Sequence, residues 1–233
     1  MKLLSRLYHN PFISRCFPTT VSLLQDALSD CESVLDLGCG PNSPIQHCHG
    51  VKYSVGVEYH KPYLNKSRNK KIHDKYLQRK IEKLAFKKNE FDAVIMIEVL
   101  EHLPKKYGYQ ILKNAKKWAK KKVIITTPNG YIHQKQLDDN PLQKHLSGWS
   151  VSDLSCLGFK VRGLAGLKFL RQEGNGNSMD ENIFKTIRFN PKPLWFVIAT
   201  LSQSVITYVP SLAFELFAIY KHNDQKSYKQ IYN

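Results

Sequence analysis

Two glycines, two carboxylates and a pair of histidines stand where they could do chemistry. The apolar run Ser33 to Leu37 ends in the turn Gly38-Cys39-Gly40-Pro41-Asn42. Gly38 and Gly40 lack a Cβ, so the backbone there can approach a ligand closely and take positive φ cheaply. Asn42 tolerates a left-handed conformation better than most residues. A ligand in an open α/β sheet sits beyond the carboxyl ends of the strands, and the first strand-to-helix turn is its usual place. Glu58 closes a second apolar run, Tyr53 to Val57, eighteen residues after Gly40. A carboxylate there can accept both hydroxyl hydrogens of a ribose, so turn and acid together point to an adenosine-containing cofactor.

A dinucleotide turn would carry a third glycine at position 43, where this sequence has Ser43. The negative charge of Asp36, just before the turn, opposes a pyrophosphate. It suits the cationic amino-acid end of S-adenosylmethionine, either directly or by holding the loop. The residues therefore favour a sulfonium cofactor. Methyl transfer from a sulfonium needs alignment above all, and a base only when the acceptor must lose a proton. The candidate bases are His102, after the run Phe91 to Ile97, and His145 and His133, after the run Val123 to Thr127. Each also reads as an ordinary polar loop residue. Glu101 could orient His102 or face water, and Trp149 could roof an acceptor pocket or pack in the core.

These residues need a frame. Thr19 or Thr20 caps an amphipathic helix with Val21, Leu24 and Leu28 on one face. Asp74 to Leu77 is a short third strand. Lys105 to Lys122 reads as a helix with Ile111, Leu112, Ala115, Trp118 and Ala119 on its apolar face, its lysines pointing elsewhere. Val123 to Thr127 is the next strand, and Ser150 to Asp153 is a capping box opening a short helix that Gly158 ends. Phe159 to Leu170 has strand character, and the glycines and asparagines at 174–177 mark a loop. The stretch Leu194 to Phe214 has no charged residue. Ser202, Gln203, Ser204 and Pro210 interrupt it, so a buried helix to about Tyr208 and a final strand from Leu212 to Tyr220 are expected rather than a membrane span. Alternating strands and helices imply a mostly parallel sheet.

Two blocks now stand out. Val34 to Gly40 resembles motif I of class I S-adenosylmethionine-dependent methyltransferases. Phe91 to Leu103, with its Glu98-Val99-Leu100-Glu101-His102, resembles the strand-four region of their ubiquinone-biosynthesis-like branch (methyltransferase type 11/12), as do Thr127 to Gly130 and His145 to Trp149. The resemblance implies a doubly wound α/β fold: a mostly parallel seven-stranded sheet, helices on both faces, the last strand antiparallel. It implies that Asp36, Gly38, Cys39 and Gly40 surround the methionine part, that Glu58 holds the ribose, and that Ile97 and Glu98 lie under the cofactor. Where the family commonly has an adenine-binding Asp, the chain has Lys80, which cannot accept that bond. Adenine recognition then falls to the Ile81 backbone and to neighbours such as Glu82.

Size and composition agree with one domain over residues 19–221, with a short extension (1–18) before it and a polar tail (222–233) after it. The 233 residues are 42% apolar, enough for a packed core. Five cysteines form no CxxC pair, so neither a disulfide framework nor a metal site is expected, and a reducing cytoplasm is. The first residues carry Lys2, Arg6 and Arg15 among apolar groups and do not read as a signal peptide.

The formal charge is +16. Residues 60–90 hold eleven Lys/Arg against three acids, and residues 105–122 hold eight Lys and no acid. Such a field attracts phosphates on nucleic acid or anionic lipid, or simply solvates two outer faces. The leading expectation is methyl transfer to a small-molecule, lipid-linked or glycan acceptor, forming an O-methyl group, in a protein that could touch an anionic membrane surface. A tRNA or rRNA methyltransferase ranks below it, because no appended RNA-binding motif is present. A non-catalytic scaffold with the same fold is the reading from another class.

Overall fold

A computed structural model describes residues 17–134, 140–172 and 186–222. Most of the expected extension and tail, and the expected loop at 174–177, lie outside them. Helix α1 (Thr20–Leu28) opens on a reciprocal cap: Thr19 Oγ1 accepts from the Ser22 amide and Ser22 Oγ from the Thr19 amide. Next come β1 (Ser33–Leu37), β2 (Tyr53–Val57), α2 (Lys61–Asn69), β3 (Lys75–Leu77) and β4 (Phe91–Ile97). They are followed by α3 (Lys105–Trp118), β5 (Ala119–Pro128), α4 (Val151–Cys156), β6 (Lys160–Leu167), α5 (Lys192–Ile206) and β7 (Ala213–Lys221).

The seven strands form one sheet in the order β3-β2-β1-β4-β5-β7-β6. Strands β1 to β5 pair in parallel, and β7 runs antiparallel to both β5 and β6. The chain builds outward from β1 to β3, then returns to lay β4 on the other side of β1. That reversal opens a crevice beyond the ends of β1 and β4.

Alternation along the strands divides the core. Val94 and Met96 of β4 face Ile111, Leu112 and Trp118 of α3, while Ala93 and Ile95 face Leu23, Leu24 and Leu28 of α1. Burying each such large side chain contributes about 1.5–3 kcal/mol. Trp149 belongs to this core rather than to a pocket roof. It is fully buried, its indole N–H donates to Ser147 Oγ, and it fills the space left by Gly108 of α3.

Two expectations change. Helix α3 stops at Trp118, and β5 takes Ala119 to Lys122 as well as the expected strand. Pairing decides this: Phe91 faces Ala119, Ala93 faces Lys122, and Lys122 faces Lys221 of β7. Nor do all lysines of the run face water. Lys122 is buried, and its ammonium reaches the Ala27 carbonyl and the Asp30 carboxylate.

Helix α5 is the second correction, because only Ala199, Gln203 and Ile206 are buried on it. That narrow face rests on β6, where the glycines at 163 and 166 leave room for the helix backbone at Ile206 and Ala199. Leu194, Val197, Leu201 and Val205 are exposed, with Tyr208 just beyond them. No helix among the described residues is long and apolar enough to cross a membrane.

Candidate active site

The crevice is lined at its base by Gly38, Val57, Glu58, Glu98 and Val99. Its free volume is about 810 Å³, counting the space at its mouth. The turn after β1 follows the left-handed path its glycines permit, with φ +70° at Gly38 and +56° at Gly40. A Cβ at Gly38 would stand 2.7 Å from Val99 Cγ2, whereas among the described residues nothing lies within 4 Å of one at Gly40. Gly38 therefore serves close packing of the turn on β4, and Gly40 borders open space.

Glu58 ends β2 at the crevice. One carboxylate oxygen accepts from the Gly40 amide at 3.2 Å and the other from the His60 amide at 2.7 Å. Burial raises its pKa, and the His60 and Gly40 amides oppose that. Each oxygen keeps a lone pair for a further donor.

Asp36 turns inward. Its Oδ2 accepts from Ser43 Oγ at 2.5 Å and lies 3.3 Å from His73 Nε2, all three residues buried. Of the two roles expected for Asp36, holding the loop is the one this geometry performs. Cys39 is buried behind the turn, and Asn42 is exposed and accepts from the Lys70 ammonium. Of the expected cofactor contacts, Gly38, Glu58, Ile81 and Glu98 line the crevice. Asp36, Cys39, Gly40, Asn42 and Ile97 are not among the residues that line it. Lys80, Ile81 and Glu82 share one side of it, and the Lys80 ammonium lies 5.1 Å from the Tyr59 ring centre. Lys80 is thus held by an aromatic face.

After β4 the chain makes a tight turn with φ +55° at Glu98, then a 3-10 turn at Leu100–His102. Thr126 Oγ1 donates to Glu98 Oε1 at 2.8 Å, and Thr127 Oγ1 to Glu101 Oε2 at 3.1 Å. Glu101 is buried, and its Oε1 has no hydrogen-bond partner among the described residues. Burial and the neighbouring Glu98 charge push its carboxyl well above the usual range. His102 lines the crevice, and its ring centre lies 4.9 Å from that of buried His145. Burial and His145 hold the His102 imidazole down at about 4, so it is neutral at pH 7. His133, the third candidate, is exposed.

Sequence reasoning paired Glu101 with His102 as one option and missed that His145 meets them both. It also missed Thr126 and Thr127, whose hydroxyls fix both acids. Their place at the carboxyl end of a central strand was the available signal.

The fold is that of the class I S-adenosylmethionine-dependent methyltransferases. Residues 35–126 match the model of a family described as a methyltransferase domain, and S-adenosylmethionine is the cofactor of that class. No curated protein matches the sequence. The chain shares its fold with an S-adenosylmethionine-dependent methyltransferase from Archaeoglobus fulgidus, at 17% identity and TM-score 0.52 over 90% of this chain and 98% of that one. It also resembles the methyltransferase domain of bacterial CtHen1-CN, at 15% identity and TM-score 0.50 over 89% and 98% of the two chains.

Proposed function

We propose that the crevice binds S-adenosylmethionine through Gly38, Glu58, Ile81 and Glu98, and that the enzyme methylates a hydroxyl on a lipid-linked or glycan acceptor. The carrying observation is the Glu58 carboxylate, seated at the end of β2 with one oxygen on the Gly40 amide and its remaining lone pairs toward the crevice. Open space at Gly40 leaves room for a nucleoside, and the Glu58 oxygens suit a ribose diol. When bound, the cofactor supplies a methyl group on a sulfonium leaving group.

The chain's own residues would do the rest. Leu103, Pro104, Leu142 and Leu146 form an apolar wall that keeps water from the acceptor side. The neutral His102 at that wall is placed to take the proton an acceptor hydroxyl loses. The exposed apolar row on α5 and the net charge of +16 support an acceptor presented at an anionic membrane surface. Calorimetry with S-adenosylhomocysteine, on the wild type and Glu58→Ala, tests the cofactor assignment. Labelled methyl transfer to lipid and RNA extracts tests the acceptor: label in RNA alone would overturn the lipid-linked or glycan reading.

A further inference from the structure

The structure assigns to His73 the part of a positioning residue, which holds the turn after β1 in its cofactor-binding shape by acting through Asp36. A gap in the sheet makes this possible. Asp36 of β1, Gly56 of β2 and Tyr76 of β3 stand level with one another across three parallel strands. Gly56 carries no side chain, and His73 uses the space: a Cβ there would stand 2.5 Å from His73 Cδ2. The imidazole, placed just before β3, thereby reaches across β2 to within 3.3 Å of Asp36 Oδ2. The two side chains are 0% and 2% exposed, so water does not compete for the contact.

Tyr76 sets the ring in place. Its hydroxyl accepts from the His73 amide and donates to the Ser67 carbonyl, both at 2.9 Å, and its ring meets the imidazole edge-on at 5.5 Å. Apart from the Asp36 contact, neither imidazole nitrogen has a hydrogen-bond partner among the described residues. Packing alone does not explain such a residue, because a leucine would fill the slot without stranding two nitrogens. An ionised carboxylate can only accept, so the ring nitrogen that faces it carries the hydrogen.

Asp36 carries the constraint to the turn. Its Oδ2 also accepts from Ser43 Oγ, seven residues further along, and that bond clasps the two ends of the turn Gly38 to Asn42. From the other side the turn is stitched to β2, where the Gly38 and Cys39 amides donate to the Val57 carbonyl at 2.8 and 3.0 Å. Without His73, the buried Asp36 carboxylate would keep one hydroxyl and no basic partner among the described residues. A buried carboxylate left in that state is driven to protonate or to move toward water. Either change opens the clasp. With ribose on Glu58 and adenine toward Ile81, the amino-acid end of the cofactor falls beside Gly38, at the clasp itself. This role rests on the cofactor reading above.

Calorimetry on wild type, His73→Leu and His73→Gln tests it with two ligands: S-adenosylhomocysteine, and 5′-methylthioadenosine, which lacks the amino-acid part. His73→Leu should bind S-adenosylhomocysteine about tenfold more weakly, the loss of a hydrogen bond to a charged group, and 5′-methylthioadenosine within about twofold of wild type. His73→Gln, whose amide N–H can replace that of the ring, should recover most of the loss. Unchanged S-adenosylhomocysteine affinity in a folded His73→Leu, or an equal loss for both ligands, would overturn the role. Should His73→Leu fail to fold, imidazole 15N spectra of the wild type decide: a hydrogen on His73 Nε2 upholds the contact with Asp36, and a bare Nε2 overturns it. A wild type that binds neither ligand would overturn the cofactor reading and this role together, whereas binding without the split removes only the role of His73.

Discussion

Glu58 Oε2 accepts the Gly40 amide hydrogen at 3.2 Å, so the end of β2 fixes the turn that ends β1. One carboxylate thereby shapes the loop and presents its remaining lone pairs to the crevice. Replacing Glu58 with Ala should weaken S-adenosylhomocysteine binding by about 1–3 kcal/mol, the cost of losing a charged acceptor. Glu58→Gln, which keeps an acceptor oxygen, should lose less. Calorimetry measures both, and an unchanged Kd for the Ala variant removes Glu58 from the cofactor site.

Gly108 stands in the first turn of α3, and inside a helix Ala ordinarily adds up to about 0.5–1 kcal/mol of stability over Gly. Here an added Cβ would overlap the Trp149 ring, which is fully buried and cannot retreat. Overpacking of this kind costs about 1–3 kcal/mol, so Gly108→Ala should be net destabilising. Urea unfolding of the two proteins decides it. A stabilised variant would mean that Trp149 yields easily.

Asp153 supplies a pH-dependent contribution. Burial alone would raise its carboxyl, but Lys105 at 2.9 Å and the Ser150 amide and hydroxyl at 2.8 Å outweigh that and hold it at about 2. A depressed carboxyl stabilises the fold above its unfolded value of about 3.8 and loses that effect as pH falls toward 2. At this partly open position, solvent screening limits the contribution to about 1–2 kcal/mol. Asp153→Asn should therefore be less stable than wild type at pH 7. The gap should close between pH 4 and pH 2, followed by denaturant midpoint, and a gap independent of pH would assign the effect to the cap alone.

The exposed row on α5 has its own test. Leu201→Asp and Val205→Asp put charge where an apolar contact with lipid is proposed. Each should reduce binding to phosphatidylglycerol vesicles by about tenfold, about 1.4 kcal/mol, while S-adenosylhomocysteine binding stays the same. Unaltered sedimentation with vesicles would rule this face out as the contact.

What the sequence disclosed follows the range of the interactions. The β1 turn, Glu58 and the cap at Thr19 are local patterns, and each is legible residue by residue. The unbroken apolar run from Ala93 to Ile97 likewise marks a strand buried on both faces. The end of α3 was hidden, because a lysine run carries no periodic apolar signal and long-range pairing with β4 and β7 set the boundary. The buried face of α5 was over-read for a similar reason. Apolar content suggests burial, but β6 offers only a narrow seat between two glycines. The meeting of Glu101 with His145 and of Asp36 with His73 depends on loops closing over strand ends, which no spacing along the chain encodes.

The placement of β7 also bears on how the molecule is made. Among the described residues it is the last strand in sequence but the sixth in the sheet, wedged between β5 and β6. Throughout synthesis on the ribosome both of its future neighbours therefore wait with bare backbone edges, the kind that recruit foreign strands. A nascent chain stalled before Ala213 would be a sticky one, and chaperone capture should peak just before that segment emerges.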